Sequence, residues 1–183
     1  AEEIRHRKAA LDGEDMPVPA EWNVQIDINI DAYLPSAYIY DSMQKIEVYK
    51  KAASISSLQE AVDLYEELED RFGDPPAEVT RLLLVAKLKV YGIKYGIESI
   101  QQQGDDLLIK IADSRLGSIQ GQKLMALGSR LGGRIKLADG PRIHITLKGK
   151  GMSSDQLLEL LETFMIDLED VIKPKGELHN VAK

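Results

Sequence analysis

Carboxylates and cationic side chains are the chemically capable groups that this sequence gathers at regular spacing. Glu60, Asp63, Glu67 and Asp70 recur at i, i+3, i+7 and i+10, which puts them along one side of a helix. Seven of the 30 acids lie between Ile55 and Asp74, with Arg71 as the one base among them. Most of the formal charge of −7 is therefore concentrated in one short stretch. Like charges three and four residues apart weaken an isolated helix by about 0.2–0.5 kcal/mol per pair, and the row is expected to lack local salt-bridge compensation. Two readings remain open. The row is a docking surface, where guanidinium forks pair with carboxylates in bidentate fashion, or it is a solvated acidic face with no partner.

A second charged pattern runs the other way. Over 134–150, Ile135, Leu137, Ile143, Ile145 and Leu147 fall on one face of an expected hairpin. Arg134, Lys136, Arg142, His144 and Lys148 fall on the other, followed by Lys150. Such a basic face could track a phosphate backbone, which makes Arg134, Lys136, Arg142 and Lys148 candidates for nucleic-acid contact. It could equally protect an edge strand from pairing with another chain. No aromatic residue interleaves for base stacking, and the whole molecule is acidic.

Catalytic chemistry finds little support. With no cysteine there is no disulfide, thiolate zinc site or cysteine nucleophile. The three histidines, His6, His144 and His179, stand far apart. No G-x-x-x-x-G-K-[ST] string occurs, and Gly149-Lys150-Gly151 ahead of Ser153 has the wrong spacing for a phosphate loop, so it reads as a turn. Gly117 and Gly121 around S-I-Q are not a nucleophile elbow, and Asp105-Asp106 reads as a turn. His144 reads as an exposed neighbour of Lys and Arg rather than a ligand, and Trp22 as an anchor for the following strand. The chain is expected to hold no catalytic residue, no metal and no cofactor.

The elements that must position these groups follow from periodicity and punctuation. Val24–Ile30 alternates at period two and predicts a strand with Val24, Ile26, Ile28 and Ile30 inward. Asp41, with Gln44 as capping-box partner, opens a helix to about Ala53 whose apolar positions are Ile46, Tyr49 and Ala53. Ser57 and Glu60 form a capping box for a helix from 58 to Phe72, stopped by Gly73. Its apolar side is Leu64, Tyr65, Leu68 and Phe72, with Leu58 and Ala61, opposite the acids. Pro75 or Pro76 opens a third helix that ends near Gly92 or Gly96.

Strands are then expected over 97–102 and 107–111 around Gly104-Asp105, a helix over 116–131, strands over 134–137 and 142–147, and a last helix from about Ser153 to Val171 with Ser154 as its cap. The class is α+β: an N-terminal strand and helices, then two strand-strand-helix units, a weak internal repeat. Residues 1–22 read as the end of a charged helix and a linker, 23–173 as one domain, and 174–183 as a polar tail. The 183 residues suffice for one ordinary domain or two small ones, and 44% apolar with 29% charged residues is the range of a soluble globular protein. No apolar run approaches the roughly 18 residues a membrane helix needs, and no signal-peptide pattern appears. The chain begins at Ala1, inside what reads as a helix, and is expected to be a piece of something longer.

Three strings, INIDAYLPSAYIYD (28–41), EELEDRFGDPP (66–76) and LLLVAKLKVYGIKYGI (82–97), resemble the C-terminal domain of bacterial transcription-repair coupling factors. The resemblance covers roughly residues 24–172, and D-R-F-G at 70–73 behind an acidic helix is its most specific part. It implies a cytoplasmic parent that is an ATP-driven double-stranded-DNA translocase. That parent acts on RNA polymerase stalled at lesions and recruits UvrA for nucleotide excision repair. ATP and Mg would belong to motor modules upstream. It further implies that this domain is a non-catalytic regulatory module, packed against a UvrB-homology module of the same polypeptide and masking the surface that UvrA must reach. The family's contact glutamate matches Glu67, facing arginines of the UvrB-like module. Asp70, one turn along, is expected as a second contact, with Glu60 and Asp63 completing the row. No residue of the second half is carried over.

Overall fold

A computed structural model describes residues 23–138 and 144–172. Within these residues the chain runs β1 (Gln25–Asp27), α1 (Ser42–Ala53), α2 (Leu58–Phe72), α3 (Ala77–Tyr95), β2 (Ile97–Gln103), β3 (Asp106–Ile111), α4 (Asp113–Leu116), α5 (Gly121–Arg130), β4 (Ile135–Ala138), β5 (His144–Leu147) and α6 (Ser154–Val171). The five strands form one sheet in the order β1-β2-β3-β5-β4. Only β1 runs parallel to its neighbour, β2; the other pairs are antiparallel. The α+β class and the two strand-strand-helix units stand. The second hairpin joins the first through β5, which leaves β4 at the sheet edge.

Two apolar clusters organise the fold. Ile100, Leu107, Ile109, Ile145 and Leu147 line one sheet face, where Leu88, Tyr91 and Tyr95 of α3, Leu124 and Leu127 of α5 and Leu161, Phe164 and Leu168 of α6 cover them. The second cluster lies among α1, α2 and α3: Val48 and Ala52, Leu64 and Leu68, Val79 and Leu83, closed by Leu34 and Ile39 of the preceding loop. Helix α3 serves both, its first half in the helical cluster and its second half on the sheet. Three ion pairs, Arg81–Asp155, Lys87–Glu162 and Lys94–Glu169, fix α6 alongside α3.

Most helix boundaries obey the local signals. Ser57 caps α2, the Asp41 carboxylate accepts from the Gln44 N–H at the start of α1, and Gly96 ends α3 at φ 73°. The differences have physical causes. The first strand keeps the expected alternation, with Val24 buried, but only three of its residues pair with β2. Val24 seats against Gly92, where an added Cβ would lie 2.6 Å from a Val24 methyl, so the bare backbone of α3 accommodates the strand.

In place of one helix over 116–131 there are α4 and α5, because the backbone between them bonds elsewhere. Gln120 N–H donates to Val171 O at 2.9 Å, and Ile119 bridges to Ile172 at the end of α6. The cap of α6 is Ser153, not Ser154, in a complete capping box with Gln156. Helix α1 buries Val48 and Ala52, whereas Ile46 and Tyr49, expected on its apolar side, are exposed. The Trp22, 1–22 and 174–183 expectations lie outside the described residues, as do Arg142 and Ile143.

Leu68 is fully buried at the centre of the helical cluster. Leu68→Ala is expected to lower the unfolding free energy by about 2–5 kcal/mol through transfer and cavity costs. Leu68→Asp is expected to unfold the helical unit, and Asp70→Ala to change stability by less than about 0.5 kcal/mol. Urea unfolding followed by circular dichroism checks all three.

Candidate functional site

The carboxylate row lies on α2, whose rotation is set by Ala61, Leu64 and Leu68 pointing into the helical cluster. The four row members have different surroundings. Ser57 Oγ accepts from the Glu60 N–H at 3.2 Å, and the Glu60 carboxylate turns back to Ser56, 2.6 Å from its N–H and 3.0 Å from its hydroxyl. The expected box therefore closes on the residue before the cap, and Glu60 belongs to the helix start. Asp63 is exposed and accepts from Gln59 Nε2 at 2.8 Å within its own helix. Asp70 is exposed and makes no hydrogen bond or ion pair with a described residue.

Glu67 differs from the expectation. Its side chain is one-third exposed and sits in a seam between α1 and α2. Lys51 Nζ lies 2.7 and 2.9 Å from its two oxygens, and Arg71 donates to it at 2.6 Å. Glu47 approaches both cations, at 3.4 and 3.6 Å. The row is thus locally compensated at Glu67, contrary to the sequence reading. Arg71, four residues on, was visible in sequence; Lys51, on another helix, was not. Bonding to Lys51, and then to Arg71, holds the Glu67 carboxyl below the ordinary glutamate range, and Lys51 is raised in turn by Glu67.

Each residue of the D-R-F-G string has a place. Asp70 faces out, and Arg71 joins the seam while its guanidinium carbon lies 4.9 Å from the Phe72 ring centroid. Phe72 turns inward against Tyr38, with centroids 5.8 Å apart. Gly73 takes φ 83°, open to a residue without Cβ. The Tyr38 hydroxyl lies 3.0 Å from Leu68 O and 2.8 Å from Gly73 O, so it ties the loop before α1 to the C-terminal end of α2.

The basic hairpin is largely occupied with its own structure. Arg134 donates to Lys148 O and Lys150 O, at 3.0 and 3.2 Å, bracing the turn after β5. Lys148 Nζ bonds Asp106 at 2.8 Å, and that bond, then the Gly149 N–H, holds Asp106 low. Asp106 is therefore a strand residue with an ion partner rather than part of a turn. Lys136 on the edge strand is exposed without an acidic partner among the described residues. Arg142 is outside them, and His144 is half-buried, opposite Ala138 and Lys110. Leu137, expected on the inner face, is half exposed at the edge.

These features define a two-layer α+β domain with a helical unit that presents an acidic helix. A family model described as TRCF domain matches residues 28–121. The chain is 36% identical over 173 residues to a transcription-repair-coupling factor of Bacillus subtilis, covering 94% of this chain and 14% of that protein. It is 32% identical over 147 residues to one of Staphylococcus haemolyticus, covering 80% of this chain and 12% of that protein. A crystal structure of the C-terminal domain of a transcription-repair coupling factor superposes with a TM-score of 0.74 at 27% identity, over 84% of this chain and 96% of that one. The chain belongs to the TRCF domain family, and its structural counterpart is the C-terminal domain of a transcription-repair coupling factor. It spans about one seventh of the length of these curated relatives. No described helix is long and apolar enough to cross a membrane.

The seam yields a pH-dependent prediction. Because the folded carboxyl of Glu67 is depressed, its pairing stabilises the domain above the ordinary glutamate value and is lost as pH falls through the lower folded value. A double-mutant cycle of Lys51→Met and Glu67→Gln is expected to give a coupling of about 0.5–1 kcal/mol at pH 7, discounted for the solvent exposure of both groups. That coupling should fade as pH falls below the ordinary glutamate value and through the lower folded one.

Proposed function

We propose that this chain is a non-catalytic regulatory module of a transcription-repair coupling factor, docking through α2 on a UvrB-homology module of the same polypeptide and masking the surface that UvrA reaches. The parent would be the ATP-dependent DNA translocase acting on stalled RNA polymerase, with ATP and Mg held in motor modules outside this chain. The observation that carries the reading is the outward setting of Asp63 and Asp70 on a helix held by Ala61, Leu64 and Leu68, although Leu58 and Tyr65, expected on its apolar side, are exposed. Asp70 is open to a guanidinium group, and Asp63 holds only the exposed Gln59 amide of its own helix, so pairing costs the fold little. Glu67 contributes at the edge of the contact, since Lys51 and Arg71 already share its charge. The weight of docking therefore falls on Asp63 and Asp70 more than on Glu67 and Glu60.

Weak contacts suffice for such a latch. An exposed ion pair contributes about 0–1 kcal/mol. If the separated modules bound at about 1 μM, tethering at an effective concentration near 1 mM would give a closed-to-open ratio of about 1,000. Release by polymerase or DNA engagement then requires about 4 kcal/mol.

The second reading, duplex DNA contact by the basic hairpin, draws on Lys136 at the exposed edge, but Arg134 and Lys148 are committed to carbonyls and to Asp106. The double reversal Asp63→Lys with Asp70→Lys is expected to leave melting unchanged within about 3 °C and to raise UvrA affinity of the full-length protein at least tenfold, measured by titration. Unchanged UvrA affinity would refute the latch. Salt-steep duplex binding lost in Lys136→Glu would favour the hairpin instead.

A further inference from the structure

Helix α1 carries an apolar ridge that the fold leaves uncovered. Tyr40, next to the cap, is 91% exposed, Met43 is 74% exposed and Ile46 is 48% exposed. Met43, Ile46 and Lys50 follow at i, i+3 and i+7, on the side of α1 opposite the buried pair Val48 and Ala52. The seam fixes where this ridge lies. Lys51 pairs with Glu67 and Glu47 with Arg71, so α1 and α2 run antiparallel with the ionic seam between them. Met43 stands one turn before Glu47, level with the end of α2, and Tyr38, two residues before Tyr40, bonds the Gly73 carbonyl there. By the same pairing Asp70 stands across the seam from the ridge, and Asp63 lies two turns further back along α2, toward the C-terminal end of α1.

We propose that this ridge is the apolar anchor of the docking surface. Its occupant is a protein surface with an apolar depression bordered on one side by arginine or lysine. This rests on the docking reading above and identifies that occupant with the same UvrB-homology module. Charge complementarity and continuity assign the partner: the acids call for cations, and a partner seated on them would also cover the residues across the seam. The combination is physically productive. Exposed ion pairs alone contribute little, whereas apolar contact beside them excludes water and strengthens each pairing. Tyr and Met are side chains suited to this, one rigid and amphipathic, the other able to conform to an uneven pocket. Lys50 ends the ridge and marks where the apolar contact stops.

The test is UvrA titration of the full-length protein at low and high salt. Met43→Gln with Ile46→Gln keeps good helix formers at exposed positions, so melting should stay within a few degrees of the parent. Removal of the anchor is expected to raise UvrA affinity at least tenfold at both salt concentrations. The acid reversal Asp63→Lys with Asp70→Lys should instead raise it mainly at low salt. If the acid reversal opens the protein and the apolar pair does not, the anchor is refuted and the acidic docking stands. If neither opens it, the docking reading fails and the anchor with it. Sedimentation of the isolated chain adds a further outcome. A dimer dissociated by Met43→Gln with Ile46→Gln would assign the ridge to a second copy and overturn the proposal.

Discussion

Burial of Leu64 and Leu68 in the cluster shared by α1, α2 and α3 sets the rotation of α2, and the surface chemistry follows from that rotation. A helix turns 100° per residue. Fixing two positions inward leaves Asp63 and Asp70 no choice but outward, puts Glu67 on the flank beside α1, and turns Phe72 toward Tyr38. The same rotation brings Glu67 within reach of Lys51, so the ionic seam is a consequence of apolar packing rather than its cause. Removing the seam would leave the acids where they are; removing Leu68 would not.

The helical unit is not an appendage. Helix α3 contributes Val79 and Leu83 to one cluster and Leu88, Tyr91 and Tyr95 to the other, and the ion pairs to α6 run along its length. A nineteen-residue helix packed at both ends has no point at which to bend without opening a core. The acidic helix is thereby presented on a rigid base, and a partner docking on its side chains, as proposed, would meet no large ordering cost.

Much of this was legible in the sequence. Ser57, Gly73, Gly96 and the Pro75-Pro76 pair punctuate α2 and α3 because caps and stops are local chemistry. The acidic row was legible because period 3.6 maps residues to faces. What escaped was decided by contacts distant in sequence. The backbone between α4 and α5 is drawn off by the end of α6, some 50 residues away. The buried face of α1 is Val48 and Ala52 because a short helix packed on two others buries a narrow stripe. The broader apolar count, with Ile46 and Tyr49, points toward solvent. Compensation of Glu67 by Arg71 follows the i, i+4 rule, whereas the share from Lys51, sixteen residues earlier, follows no spacing rule.

The misassigned face of α1 also changes what the acidic row means. Ile46, which periodicity places on the apolar side of α1, stands in water beside the exposed Met43 and Tyr40. Charge alone would make a surface that any cation approaches and that salt dissolves. A neutral seam with acids on one side and Tyr40, Met43 and Ile46 on the other discriminates better. A partner must present cations and an apolar depression at the matching separation, and one offering only the cations leaves the ridge wet. In the proposed latch, the acids would set the orientation and salt dependence of closure, and the ridge its persistence. A surface divided in this way can hold a domain closed in a salty cell and still yield when a competing contact claims either half.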